Sequence, residues 1–504
     1  MRGRSALGAV IALCVTTALA SAIGQSDGRL IEAPRFWNDH DLSEWATPVA
    51  GLDVRPSHYS EKEYYSAPVG DLVRTYAVYF PGREPSGYWD IVRNAKPEPL
   101  ITPGPRTTPD WVKEGRRVFQ EMDIPYLRSY DPKLRDILRS TDEFQKLGGH
   151  AQKDGTVRGL RWVPTARGLA LSIPDCASCH SRVMPDGSIL DGAPFPGNDA
   201  VDGVRASFTS HNSPGFLDFY SPGETASMVA WRFWAAPWVP NDVNEGLKSP
   251  AIDPRDFGFV SGVVPRFNSS PFYPTKVPDL IGVSHRKYID HTATHRLRGP
   301  EDLMRYAALV SCCDIGDFGP HRMLTDKGRR IAYRFPDELL YALAQYIYSL
   351  ESPRNPNAAD PRATAGREVF DREGCGSCHT PPLYTNNKLT LAAGFVPSPN
   401  HRLQEDILSL SVGTDPNLAL KTRKGTGLYK IPSLRGVWYR GLFGHDGSVT
   451  TLEEWLDPAR LRDDFQPSGF KGYKTTRRAV PGHAFGITLN AEEKAALIAF
   501  LKTL

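Results

Sequence analysis

Two pentapeptides, CASCH at 176 to 180 and CGSCH at 375 to 379, constrain this chain more than any other feature. Each places two thiols, two residues apart, directly before a histidine: Cys176, Cys179 and His180 in the first, Cys375, Cys378 and His379 in the second. That spacing is the attachment signal for a c-type haem, the thiols linking covalently to the macrocycle and the histidine taking an axial position on its iron. With 7 cysteines and 13 histidines in 504 residues, random placement yields roughly 0.003 such units per chain. Two copies therefore set the expectation of two covalently bound haem c groups, and they displace a redox dithiol followed by an incidental histidine.

The chain opens with a basic start and an apolar run from Ala6 to Ala20, with small residues at Ala18, Ala20 and Ala22. This is the layout of a secretory signal peptide over residues 1–22, and it predicts a periplasmic or secreted protein. Thr16 and Thr17 interrupt a run already shorter than the about 18 apolar residues that span a bilayer, so no membrane span is expected. Cys14 follows Leu13, where a lipidation site wants a small residue. Loss of Arg2 and Arg4 takes the formal charge from +3 to about +1, which leaves no basic excess to recruit nucleic acid. Export ordinarily favours disulfides, but four of the six cysteines beyond the signal fall in the two motifs. The adjacent Cys312 and Cys313 have the wrong spacing for haem and read as a strained vicinal disulfide or buried thiols, with export favouring the disulfide.

The sequence around the motifs is duplicated. Gly115, Arg116, Val118 and Phe119 recur as Gly366, Arg367, Val369 and Phe370, each set at amphipathic spacing that predicts a short helix leading toward the haem loop. Four residues separate Phe370 from Cys375, whereas 56 separate Phe119 from Cys176, so a large insertion lies in the first copy. PDELLYALAQYIYSL (336 to 350) and NAEEKAALIAFLKTL (490 to 504) predict a closing helix for each unit, the second starting at Asn490 with Glu493 three residues on. A helix before the motif and another at the end is the arrangement of a class I cytochrome c domain. The expected fold is therefore mainly α, with two such domains at 105–355 and 356–504 joined by a Pro- and Asn-rich linker. Gly 44 and Pro 43 exceed ordinary usage and imply long loop-rich insertions. Residues 23–104 read as an irregular, proline-punctuated N-terminal extension packed along the first domain.

The ligand on the far face of each iron decides whether a haem only relays electrons or also binds a small molecule. No methionine follows the second motif, so in its own domain the partner of His379 is His401, His445, His483, a tyrosine, a lysine or nothing. For the first haem, with His180 as the proximal ligand, the segment 286 to 310 offers His291, His295 and Met304. His291 and His295 also suit a metal pair lacking an evident third ligand, or polar residues on a solvated helix start. Trp231, Phe233, Trp234 and Trp238 form an aromatic cluster that reads as core, with an apolar wall beside the first haem as the functional alternative.

The stretch YKIPSLRGVWYRGLFGHDGSVTTLEEWL, 429 to 456, resembles the C-terminal signature of bacterial di-haem cytochrome c peroxidases and MauG-like proteins. In the peroxidases the iron ligand is a methionine fourteen residues after the histidine of that motif, and in MauG-like proteins a tyrosine; the matching position here is Ala459. The resemblance then turns to the RoxA-type rubber oxygenases, whose second haem is held by two histidines, the distal one near the chain's end, and whose first haem keeps an open face. It implies His379 and His483 as the axial pair, His445 in a supporting place near the second haem, and His180 at the catalytic haem. The implied function is a di-haem oxidoreductase in which electrons pass through the C-terminal haem to an N-terminal haem that binds O2. An apolar organic substrate and a redox-protein donor are the implied partners. A peroxidase using H2O2 and a plain electron-transfer cytochrome are the alternatives.

Overall fold

The computed structural model describes residues 28–146, 151–194, 238, 258–264, 270, 272–311, 313, 317–322, 331, 333–357 and 360–504. The expected signal peptide with Cys14, Trp231, Phe233 and Trp234 of the aromatic cluster, and Cys312 lie outside the described residues. Among the described residues no helix is long and apolar enough to cross a membrane.

Five helices frame the two sites: α1 Thr108–Glu121, α2 Pro300–Ser311, α3 Asp337–Tyr348, α4 Ala363–Arg372 and α5 Ala491–Lys502. The duplicated sequence reappears as duplicated packing. Helix α1 buries Trp111, Gly115, Val118 and Phe119, and α4 buries Gly366, Val369 and Phe370. Both glycines mark the point where one helix crosses another. A Cβ on Gly115 would stand 1.9 Å from the carbonyl oxygen of Ala342 in α3, and one on Gly366 would stand 1.9 Å from that of Ala496 in α5. Only a hydrogen fits in that gap, so glycine lets the two backbones touch. Next to each crossing an aromatic pair closes the contact, Phe119 on Tyr346 at 5.5 Å and Phe370 on Phe500 at 5.2 Å, both at 62°. Such edge-on pairs add about 1 kcal/mol beyond their buried area.

Helix α5 starts as its sequence predicts. Asn490 accepts from the Glu493 N–H at 2.9 Å, and the Glu493 carboxylate accepts from the Asn490 N–H at 3.2 Å, a reciprocal capping box.

The insertion in the first unit leaves and returns at one point. The Asp175 N–H donates to the Met122 carbonyl at 2.7 Å, so Cys176 follows α1 in space much as Cys375 follows α4 in sequence. The excursion itself is built on an antiparallel sheet of β1 Tyr76–Tyr79, β2 Thr156–Thr165 and β3 Gly168–Ser172, in that order. Leu160 and Trp162 of β2 pack there with Leu134, Leu138 and Phe144. A second three-stranded sheet, β5 Ile407–Ser411, β4 Leu389–Leu391 and β6 Leu428–Lys430 in spatial order, lies between the motif and the closing helix α5 in the sequence of the second unit.

The N-terminal extension is more ordered than the proline content suggests. It forms short helices at Asp39–Trp45, Glu61–Ser66 and Tyr88–Asn94 and supplies β1. Ser60 and Glu63 make a capping box for the second of these, and the extension's Phe36, Trp37, Trp45 and Tyr64 are wholly buried in the same core as Trp111 and Phe119. Proline spacing misses this because the segment folds by delivering aromatics to a core already framed by α1, α2 and α3.

Candidate cofactor sites

The two motifs take up the same local geometry. Cys176–Cys179 forms one helical turn and Cys375–Ser377 a 3-10 turn, and the histidine N–H reaches back to the first cysteine carbonyl, at 3.0 Å for His180 and 2.9 Å for His379. One turn of this kind sets both thiols and the imidazole on a single side of the chain. All four motif thiols are half-buried and none is disulfide-bonded. Burial pushes the free Cys375 thiol up to about 11.

Each motif histidine is oriented by a backbone carbonyl. His180 Nδ1 lies 3.1 Å from the Pro278 oxygen, and His379 Nδ1 lies 3.2 Å from the Tyr384 oxygen. A carbonyl can only accept, so Nδ1 carries the proton on both rings and Nε2 is left with a lone pair. Burial keeps the His379 imidazole below its usual value, against the Tyr384 and Pro432 carbonyls, which favour its protonated form.

His483 stands opposite His379. The ring centres are 6.2 Å apart with planes inclined at 61°. Metal–imidazole bonds of about 2 Å put the ring centres of two axial histidines roughly 6 Å apart, so this pair fits a haem iron held between them. The loop that carries His483 is tightly fixed. His483 has a left-handed backbone with φ of 48°, which costs a side-chain-bearing residue about 1 kcal/mol or more. Its N–H donates to the Val412 carbonyl at 2.7 Å, and its own carbonyl accepts from Arg460 Nη2 at 2.8 Å. Trp455 and Phe485 flank the ring at 5.6 and 5.2 Å. Burial first, then the neighbouring His379 and Arg460, bring the His483 imidazole down to about 4. Its Nδ1 is buried with no hydrogen-bond partner among the described residues.

Arg460 has no mark in the sequence that would single it out. It is wholly buried and donates to the Trp455 carbonyl at 2.7 Å, the Val480 carbonyl at 2.6 Å and the His483 carbonyl at 2.8 Å, with its guanidinium 4.5 Å from the Trp455 ring. Burial lowers its pKa to about 10. The residue ties three turns of the distal loop together with one cation.

The other candidate histidines go elsewhere. His401 is 2% exposed and packs on Phe395. His445 rests on Tyr429 at 5.1 Å, and its carbonyl accepts from the Lys276 N–H. Its contacts thus lie toward Lys276 rather than with His379 or His483. The adjacent Asp446 pairs with Arg478 at 2.7 Å; burial works against its charge, but His445, Arg478 and Ser448 together hold its carboxyl below the ordinary range.

The segment with His291 and His295 is an irregular hairpin with short strands at Tyr288–Ile289 and His295–Arg296, not a solvated helix start. His291 Nε2 meets the Lys276 carbonyl at 3.1 Å, while His295 Nε2 faces His58 Nε2 at 3.4 Å beside Trp45. Burial drives both imidazoles well below their usual value. The two therefore sit in different environments, and among the described residues no group of three or more His, Cys, Asp or Glu side chains could hold a metal ion. Met304 is wholly buried in the core formed with the N-terminal aromatics. Trp238 of the aromatic cluster packs on Phe318 and His321.

No protein-family model matches the chain. Among characterised proteins, the cytochrome-c peroxidase IdrP1 of Pseudomonas sp. (strain SCT) is 30% identical over 166 residues, which is 29% of this chain and 41% of that protein. The match thus spans less than half of the relative's length. Among solved structures, the hydrazine synthase of Kuenenia stuttgartiensis aligns with 56% of this chain and 89% of its own at 16% identity, with a TM-score of 0.29. A MauG-like protein associated with microbial copper homeostasis aligns with 50% of this chain and 81% of its own at 18% identity, with a TM-score of 0.30.

Proposed function

We propose that the chain is an exported di-haem c-type redox enzyme built on two cytochrome c-like units. The His379–His483 centre relays electrons, and the His180 centre meets a small oxidant and the substrate. The observation that carries this reading is the facing pair of imidazoles 6.2 Å apart above the second motif. Haem c supplies one-electron transfer and, where its sixth position is open, the binding of O2 or peroxide.

The protein's own residues do the rest. The four motif cysteines would anchor the cofactors, and the Pro278 and Tyr384 carbonyls hold Nδ1 of His180 and His379 protonated, so that Nε2 of each ring is free to bind a metal. His483 would hold the second cofactor together with His379 and leave no room there for a small oxidant. The strained, triply anchored loop around His483 keeps that ligand in place through changes of oxidation state, as a relay needs.

The oxidant we favour is O2, with an apolar unsaturated organic molecule as substrate and a redox protein as electron donor. Two histidines give a lower potential than a histidine–methionine pair, which suits delivery of electrons to O2. A peroxidase using H2O2 is the second reading, favoured by the partial similarity to a cytochrome-c peroxidase. The test is a haem count and a carbon monoxide titration of the reduced, purified holoprotein, followed by consumption assays with O2 and with H2O2. Two haems per chain, one of them binding carbon monoxide, and O2-dependent turnover are expected. Turnover with H2O2 alone selects the peroxidase, and two haems that both refuse carbon monoxide make the protein an electron carrier.

A further inference from the structure

Between the two candidate haem centres lies a cavity of about 350 Å³ walled by parts of 276–291, 350–352, 383–387 and 430–442. Its wall includes Pro278, whose carbonyl lies 3.1 Å from His180 Nδ1, and Pro432, whose carbonyl favours the protonated form of His379. The cavity is thus placed behind both motif histidines, and its charge is one-sided.

Lys276, Arg286, Lys430 and Arg440 all line it, each with part of its surface accessible. Of the acids among the described lining residues, Glu351 is exposed, and Asp279 is buried and committed to Arg440 Nε at 2.7 Å and the Tyr439 hydroxyl at 3.0 Å. Beside the exposed Arg435, three further cations meet neutral carbonyls: Lys276 that of Leu442 at 2.8 Å, Lys430 that of Tyr288 at 3.4 Å, and Arg286 those of Ile281, at 2.8 Å, and Asp279. Burial, then Arg440, bring the Lys276 ammonium down to about 8, and burial, then Arg286, bring Lys430 down to about 7. Desolvating several like charges around one cavity is costly unless an opposite charge enters it. The same arrangement repels a divalent cation.

We propose that this cavity is an anion site, in which Lys276, Lys430 and Arg286 converge on carboxylate or oxyanion groups. The anion has two available sources, the carboxylate side arms of the haems themselves or a small oxyanion from solution. The first source rests on the di-haem reading, whereas the second does not. Lys276 and Lys430 come from segments that flank the two centres, so an anion bound to both also locks the two units together.

The experiment uses the holoprotein with inorganic phosphate as the probe, and the variants Lys276→Met, Lys430→Met and the double variant. The haem count is taken first, so failure of the di-haem reading is scored separately. If the source is solution, the melting temperature of the wild type rises with phosphate beyond the rise with chloride at equal ionic strength, and the double variant loses that response. If the source is the haems, phosphate has no such effect, but the midpoint potential of at least one haem falls in the double variant, since removing a positive charge favours the oxidised iron. Unchanged potentials together with an unchanged phosphate response overturn the proposal. A crystal structure of the wild-type holoprotein decides the matter should the variants not fold: an anionic group within hydrogen-bonding distance of Lys276 and Lys430 supports the site, and water alone in the cavity refutes it.

Discussion

Substituting Gly366 by alanine tests the helix crossing on which the second centre is built. The new Cβ would lie 1.9 Å from the Ala496 oxygen, 2.5 Å from its carbonyl carbon and 2.8 Å from the Phe500 Cβ. Two of these atoms are backbone in the middle of α5 and cannot swing away. Ordinary contact needs about 3.4 Å, so α4 and α5 must part by more than 1 Å at their closest point, which also opens the Phe370–Phe500 pair. Alanine gains about 1 kcal/mol in helix propensity over glycine, while overpacking a tight contact costs about 3 kcal/mol or more. The net expectation is a loss of about 2 kcal/mol or more, read by guanidinium denaturation of the holoprotein. Gly115→Ala, at the matching crossing of α1 and α3, is expected to lose a similar amount, since its Cβ also falls 1.9 Å from a helix carbonyl oxygen. Stability within 0.5 kcal/mol of wild type for both variants would refute the claim that two equivalent backbone crossings hold the fold.

Arg460→Met removes the cation that links the Trp455, Val480 and His483 carbonyls; we expect a loss of about 3 kcal/mol and partial conversion of the second haem to high spin by EPR, with Arg460→Lys restoring only part of the low-spin signal. Asp446 titrates below the ordinary carboxylate value, so its contribution is complete above about pH 4 and disappears as the pH falls through its lower folded value. Asp446→Asn should therefore lose about 2 kcal/mol at neutral pH by removing the charge that faces Arg478 and show a shallower decline in acid denaturation than wild type. A neutral-pH stability equal to wild type would show that the Asp446–Arg478 pair contributes nothing.

The parts of the molecule that could be read from sequence are those whose chemistry is local. Cys176 to His180 and Cys375 to His379 stand out because their spacing of two thiols and a histidine is complete within five residues, the segments around Gly115 and Gly366 read as twin helices because they repeat, and Asn490 with Glu493 starts α5 through a contact three residues long. Only a family resemblance pairs His379 with His483 in the sequence, because over a hundred residues separate the two rings. What stayed hidden depends on backbone carbonyls or on charges brought together from afar. Pro278 and Tyr384 act through oxygens that every residue possesses. Arg460 looks like any surface arginine until its three carbonyl partners are seen. Lys276, Arg286 and Lys430 are ordinary in sequence, and only the shared cavity makes them a cluster. In the N-terminal extension the prolines drew attention away from Trp37, Trp45 and Tyr64, whose burial needed α1 to be in place.

The central claim is that His379 and His483 hold one haem iron between them. The most direct measurement is the EPR and optical spectrum of the oxidised holoprotein, wild type against His483→Ala. A low-spin signal from paired imidazoles, present in the wild type and absent from the variant while the other haem's signal is unchanged, is the predicted result. Identical spectra in the two proteins would contradict it and remove His483 from the iron.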